Sequence, residues 1–401
     1  MTSRSSSVVA LAAFNRRRVL QTVAAAGPLS RAHIALRTGL SRPAVSRVTG
    51  ELITEGLLLG TRDGATAPTT NGGRPALLLS LAPRPERFLA AVLTRGRLRV
   101  ALAGASGEVM AHDDAPLDQF DPIGTQVESA IGLVEHLLTA TGTAPSEVSK
   151  LTLGLPWAVD PATARPVAGH APVHSGCRPT SWGGSDPGST FRDRLKIPVI
   201  VENDANLAAL GESRDGAGRG LGNVIYVKIM RGIGAGLILD GRLHHGAFGS
   251  AGEIAHVPVA ADGPPCPCGH RGCLGNMAKG DAIVRTMHDA DPDIRTFADV
   301  IEQIAAGDVG ATRYVRQTGY LIGRVLADAC SLLALEAVIV DGELEAAGGP
   351  IRDGISDAIK EYAQPGIALK VKVFSAALGE QAEIQGAIHL AIGDTPDPRI
   401  A

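Results

Sequence analysis

Apolar residues recur at helical spacing from Asn15 to Ala26, with Val19, Leu20 and Val23 on one face, until Gly27-Pro28 ends the run. Ser30 then takes the place of an N-cap for a helix over roughly 31–38 that turns Ile34 and Ala35 inward. Gly39 sits where the chain must turn tightly, and Ser41 caps a third helix, about 42–55, with Pro43 in its first turn. That helix buries Val45, Val48, Leu52 and Ile53 and stops at Gly56. Two strand-like leucine runs, LLLG and ALLLSL, follow on either side of a Gly- and Thr-rich turn. Helix, short glycine turn, helix and two-stranded wing together predict a winged helix-turn-helix, whose second helix lies in the DNA major groove.

Arg42, Ser46, Arg47 and Thr49 are expected on the outward side of that recognition helix. Arginine reads guanine edges, and serine bonds a base or a phosphate. Arg74, held between Gly73 and Pro75, is placed to enter the minor groove or clamp a phosphate. Charge favours the same partner. Residues 1–80 hold ten arginines, no lysine and three acids, a net +7; the whole chain is −3, so the remainder carries −10. The competing reading is a three-helix module that docks a protein. Residues 1–14 are expected to form a flexible tail and 15–80 the DNA-binding domain.

After residue 84 the pattern changes. FLAAVLTRGRLRVALAGASGEVMAHDD predicts two strands joined by a Gly turn and a third short strand. LTLGLPWAVDP and IPVIVEND read as buried strands, NVIYVKIMRGIGAGLILDGRL as strand, Gly turn and strand, and AVIVDGELEAAGG as a strand followed by a turn. With Ala/Leu helices such as 205–213 and 311–336 between them, these predict an α/β body of two lobes enclosing a cleft. Glu202-Asn203-Asp204-Ala205-Asn206 ends one strand, where amide and carboxylate groups can bond the hydroxyls of a sugar. Asp204 also suits a general base, given a phosphoryl donor opposite; the plainer alternative is helix capping by Asp204 or Asn203. Glu253 and His256 stand at i and i+3 and can face one space.

The densest chemical signal is His256 followed by Cys266, Cys268 and Cys273, three of the chain's five cysteines within eight residues. Thiolates and an imidazole suit Zn²⁺, and Cys₃His is a closed structural set. His270 competes with His256 as the fourth ligand. Cysteines arranged for a metal fit a reducing interior. No apolar run is long enough to cross a bilayer, and the N-terminal patch followed by arginines reverses the order of a secretory signal, so the expectation is a cytoplasmic protein without a membrane partner.

ENDAN at 202–206, GIGAG at 232–236, GEIAH at 252–256 and CPCGHRGC at 266–273 make the chain resemble the ROK family of repressors and sugar kinases. The resemblance implies a winged helix-turn-helix joined to an actin/hexokinase-like, ribonuclease H-like body over 85–397 that senses a ligand and dimerises. It also implies zinc on His256, Cys266, Cys268 and Cys273, and a sugar on Asn203, Asp204, Glu253 and His256.

Departures from the family pattern narrow this. Where ROK kinases carry Asp-x-Gly-Gly-Thr, the chain has Val92-Leu93-Thr94-Arg95-Gly96. The second phosphate loop, Gly-Thr-Gly-Ile-Gly, is here Met230-Arg231-Gly232-Ile233-Gly234, and Asp341-Gly342 stands for the adenosine glycine pair. The sugar-holding Glu after Gly-Cys-Leu is Gly275, and Val173 replaces an Asn before Trp182. ATP binding is therefore not expected, and Asp204 is a vestigial base position. The leading expectation is a non-enzymatic transcriptional regulator, a repressor, that binds double-stranded DNA as a homodimer or homotetramer and responds to a sugar-like or other small effector. The alternatives are an ATP-dependent hexose kinase and a constitutive DNA-binding dimer with a ligand-free body.

Overall fold

The computed structural model describes residues 15–16, 18–23, 26–55, 57–62, 77–81, 87–94, 96–118, 121–167, 186–346 and 349–393. The chain forms two compact units, one built from the N-terminal residues through Pro85 and one spanning Glu86–Ile392. The expected tail 1–14, the helix stop Gly56, the wing residue Arg74, Arg95 and the 171–182 stretch with Val173 and Trp182 lie outside the described residues.

In the first unit a helix over 18–23 (α1) buries Val19, Leu20 and Val23. Strand β1 (Leu29–Ser30) leads into α2 (Arg31–Thr38), where the Ser30 side chain accepts from the His33 N–H. Gly39 ends α2 at φ +68°, a left-handed conformation that glycine adopts without a Cβ penalty. Helix α3 (Arg42–Thr54) starts the same way, its Ser41 side chain accepting from the Ala44 N–H with Pro43 in the first turn. Strands β2 (Leu58–Arg62) and β3 (Leu77–Leu81) pair antiparallel, Leu58 opposite Leu81, and β1 pairs along the other edge of β3. Ile34, Val45, Val48, Leu52, Leu58 and Leu79 close the core.

The second unit holds two five-stranded sheets. The first contains β4 (Arg87–Thr94), β5 (Arg97–Ala103), β6 (Val109–Pro116), β7 (Val148–Leu155) and β10 (Val199–Asn203) in the order β10-β7-β4-β5-β6. The short pair β8 (Val159–Asp160) and β9 (Arg165–Pro166) follows β7. The second sheet contains β11 (Val224–Ile229), β12 (Ile233–Leu239), β13 (Arg242–Leu243), β14 (Ala337–Asp341) and β15 (Lys372–Ser375), ordered β13-β12-β11-β14-β15. Each sheet opens with antiparallel neighbours and continues with parallel ones, so one topology occurs twice in the body.

Helices α4 (Ile123–Ala140) and α5 (Pro187–Leu195) cover one face of the first sheet through Val127, Ile131, Val134 and Phe191. Beyond α6 (Asp204–Arg214) the chain adds α7 (Leu274–Ala278), α8 (Gly280–Ala290), α9 (Phe297–Ala305) and α10 (Val309–Leu333), then α11 (Glu343–Ala346), α12 (Pro350–Tyr362), α13 (Pro365–Ala368) and α14 (Ala382–Ile392). Helices α10 and α12 back one face of the second sheet through Ile322, Leu326 and Ile355. Helices α6 and α14 pack on the inner faces of both sheets: Leu207 and Ile388 against Ala90 and Val92, Ala209 and Ala382 against Tyr226 and Ile339. Their mutual approach is set by glycine. A Cβ at Gly386 would lie 1.7 Å from the Leu207 carbonyl oxygen, and one at Gly211 would lie 2.2 Å from that of Ala382.

Candidate functional site

Three of the residues expected on the reading face of α3, namely Arg42, Ser46 and Arg47, are exposed, and Arg47 pairs with Glu51 at 3.0 Å. Thr49 corrects the expectation. It is fully buried, donates its hydroxyl to the Val45 carbonyl at 2.8 Å and accepts from Arg31 Nε at 2.9 Å. The reason is helical geometry: Thr49 is i+4 from the core residue Val45 and shares its face. Its role is to fasten α2 to α3.

In the body, β10 delivers Glu202 and Asn203 to the start of α6. Asn203 is the N-cap, its side-chain oxygen accepting from the Asn206 N–H at 3.1 Å, so the capping alternative applies to this residue. Buried Glu202 accepts from Asn206 Nδ2 at 2.9 Å and from the Asn203 N–H at 2.8 Å, and its other oxygen lies 2.6 Å from His245 Nε2. This fastens the 244–252 loop to the α6 entrance. That loop passes the first lobe at Gly249, where a Cβ would meet the Val159 carbonyl oxygen at 2.1 Å. The hydrogen bond to Glu202 raises the His245 pKa above its ordinary value against the opposing desolvation. A raised folded-state pKa stabilises fully below the unfolded value, about 6.5, and the contribution is lost as pH rises through the folded value. The melting temperature of the wild type is therefore expected to fall relative to that of His245→Gln between about pH 6 and pH 8. Parallel profiles of the two proteins would contradict the pairing.

Asp204 opens α6, and its Oδ2 is 3.7 Å from Lys228 Nζ on β11. Lys228 also pairs with Glu383 of α14, and Glu383 accepts from Arg99 NH2 of β5 at 2.9 Å. Desolvation opposes both charges, but the partners prevail: Lys228 is pushed further up by Glu383 and Asp204, and Glu383 is held down by Lys228 and Arg99. Neither Lys228, Glu383 nor Arg99 stood out in the sequence. The available signal was a lone charge interrupting each of the apolar runs VIYVKI, LRVALA and AEIQGA. At the loops where kinase motifs were missing, Tyr226 donates to Asp341 at 2.5 Å, and Met230 lies within a tight turn, its N–H bonded to the Gly232 carbonyl at 2.9 Å.

Glu253 caps, and His256 ends, a single turn of 3₁₀-helix, Ile254–His256. His256 Nδ1 is 3.5 Å from Cys266 Sγ, Cys268 and Cys273 sulfurs are 3.6 Å apart, and all four donor atoms lie within 4.8 Å of one another. A tetrahedral centre with metal–ligand bonds of roughly 2.0–2.3 Å has edges of about 3.5–3.8 Å, so these four residues fit such an ion. His270 Nδ1 approaches Cys268 at 3.6 Å but is exposed and stands outside the mutual four-atom cluster. Glycine shapes the loop: at Gly272, φ +58°, a Cβ would collide with the Ala260 carbonyl oxygen at 1.8 Å. The Cys266 N–H bonds the His270 carbonyl at 2.7 Å, and Gly272 donates to Pro264 at 2.8 Å. Without a cation Cys268 and Cys273 titrate apart. Burial resists ionisation of Cys268, yet bonds from the His270 backbone, Cys266, Cys273 and the His270 ring bring it to about 6. Burial and the neighbouring sulfurs push Cys273 up to about 12. Such a set holds three thiolates together only around positive charge. Next to it, Gly275 on α7 lies against Ala255, a Cβ there falling 3.1 Å from the Ala255 carbonyl oxygen.

The sequence model of the ROK family matches residues 95–394. The chain belongs to the ROK family. The xylose repressor of Bacillus spizizenii is 22% identical to this ROK protein over 378 residues, 94% of each chain. A crystal structure of a ROK family transcriptional regulator, a homologue of the Escherichia coli MLC protein, superposes with a TM-score of 0.67 at 25% identity, covering 95% of this chain and 96% of its own. A ROK family glucokinase from Streptomyces griseus, solved with glucose and AMPPNP, gives a TM-score of 0.64 at 26% identity, covering 76% of this chain and 99% of its own. The α/β body is thus the actin-like fold that ROK regulators and ROK sugar kinases share.

Proposed function

We propose that this ROK protein is a DNA-binding transcriptional regulator of the repressor kind, whose body binds a sugar-like effector and does not phosphorylate it. The observation that carries the reading is the N-terminal unit. Its exposed Arg42, Ser46 and Arg47 lie along one helix of a basic head, and the relatives named as regulators match 94–95% of this chain whereas the glucokinase matches 76%. In this reading residues 15–80 bind DNA and 85–397 sense the effector and dimerise, as a homodimer or homotetramer placing two heads on two half-sites. Asn203, Asp204 and Glu253 face the effector. His256, Cys266, Cys268 and Cys273 hold a structural Zn²⁺, a closed Cys₃His set with no position left for a reacting water. When bound, zinc supplies only a fixed charge and a cross-link.

A gel shift with DNA from upstream of the protein's own and neighbouring genes tests the reading. A salt-sensitive, sequence-selective shift is expected, and Arg47→Ala should weaken it by about 1–3 kcal/mol if Arg47 reads a base, or flatten the salt dependence by about one charge if it holds a phosphate. No selective shift at any salt concentration would reject the regulator. The glucokinase likeness supports the kinase as a second reading; ATP-dependent turnover of a sugar, abolished by Asp204→Asn, would favour it instead.

A further inference from the structure

The chain from Pro264 to Cys273 forms a surface loop with one sulfur within reach of solvent and a second behind it. Cys268 is half-buried and its neighbours Pro267, Gly269, His270 and Arg271 are exposed, whereas Cys273 is fully buried. A Cβ at Gly269 would meet nothing within 4 Å, so the turn beside Cys268 leaves room for a small reagent. On its inner side Cys268 faces Cys273, sulfur to sulfur at 3.6 Å. A disulfide holds its sulfurs about 2.05 Å apart, so a closure of about 1.5 Å, within reach of side-chain rotation, joins the pair. Cys266 is the poorer partner, because one residue separates it from Cys268 and a bridge there closes a small, strained ring. His256 reaches the sulfurs from a different segment, the Ile254–His256 turn. Backbone bonds from the Val259 N–H to the Gly272 carbonyl at 2.8 Å, and from Leu274 to Val257 at 2.9 Å, hold that segment to the loop independently of any ion. The scaffold therefore survives a chemical change at the sulfurs.

We propose that Cys268 and Cys273 are an oxidation site for hydroperoxides, hydrogen peroxide being the simplest, and that their disulfide and a bound zinc exclude one another. The Cys268 thiolate attacks one peroxide oxygen, the O–O bond breaks, hydroxide leaves and a sulfenic acid forms. The Cys273 thiolate then attacks that sulfur, the S–O bond breaks and a second hydroxide leaves. Two thiolates have lost two electrons to the peroxide, and both hydroxides take protons from water. Of the four donors only His256 and Cys266 remain, too few for a closed tetrahedral set. The inference rests on the zinc and sensor reading for its consequence: Glu253, three residues before His256, loses its brace, and oxidation weakens the effector response.

The test treats the full-length, metal-loaded protein with hydrogen peroxide beside a coloured zinc chelator too weak to strip untreated protein. One zinc per chain should be released in step with one disulfide, which peptide masses place between Cys268 and Cys273. A thiol reductant with added zinc should restore both the metal and the melting temperature. Cys330→Ser, which removes a buried thiol far along the chain in α10, should release zinc at the wild-type rate. Zinc retained through the treatment overturns the proposal. So does zinc lost with no disulfide, with a disulfide between other cysteines, or only as the sulfurs pass to sulfinic and sulfonic acids. Protein that purifies without metal removes the zinc reading by itself. In that case a Cys268–Cys273 disulfide that blocks uptake of added zinc still supports the exclusion, and zinc uptake by the oxidised protein, or no such disulfide, overturns it.

Discussion

If the Cys₃His cluster holds the proposed zinc, Cys273→Ser is expected to abolish metal binding and to lower the stability of the body by several kcal/mol, on the order expected when a structural zinc is lost from a domain that folds partly without it. Cys273 is the buried member of the set and also starts α7, so its sulfur joins the metal loop to the helical layer behind the second sheet. A chelator acting on wild type should reproduce the loss. DNA binding by the first unit should survive both treatments at low temperature, because Val19, Ile34, Val45, Leu52 and Leu79 give that unit a core of its own. Metal content measured beside the melting curve decides the matter. A Cys273→Ser protein that melts like wild type, or wild type purified without stoichiometric metal and still fully stable, would remove the brace from the mechanism.

Gly386→Ala is the other large effect. One methyl group has to enter a space where the Leu207 carbonyl oxygen lies 1.7 Å from the ideal Cβ position, so α6 and α14 must move apart along their contact. Overpacking of a well-filled core costs about 1–3 kcal/mol and occasionally more, and a clash with rigid helix backbone belongs at the upper end, so a loss of about 3 kcal/mol or more is expected from denaturant midpoints. Gly132→Ala supplies the contrast. Gly132 lies inside α4 with open space where its Cβ would be, so the same substitution should stabilise by about 0.5–1 kcal/mol. Equal effects at the two positions would mean that helix propensity, and not the α6–α14 crossing, governs both.

What the sequence revealed follows the range of the interactions involved. The capping serines Ser30 and Ser41, the turn at Gly39 and the helices they bound are decided within a few residues, and they stand where the pattern puts them. The clustering of His256 with the three cysteines was legible for the same reason, since Cys266, Cys268 and Cys273 fall in one short loop. Even so, AVIVDGELEAAGG hides a short helix, α11, where a turn was expected, and the strand after Gly107 runs the full length of β6. Longer-range chemistry was silent. Arg99 and Glu383 are 284 residues apart, and no spacing rule connects a strand residue of one sheet to the first turn of the last helix. Thr49 was misplaced by its polarity; its position four residues after Val45 was the better guide.

The bond between Arg31 and Thr49 bears on how such a head can change its target. It ties α2 to α3 from the protein side, through a threonine whose hydroxyl is already used within its own helix. The exposed positions Arg42, Ser46 and Arg47 take no part in that fastening. In the proposed complex a new operator can be matched by exchanging these three side chains while the pitch of the helix in the groove stays fixed. A lineage of duplicated copies could therefore diverge in address without first having to rebuild the joint that aims it.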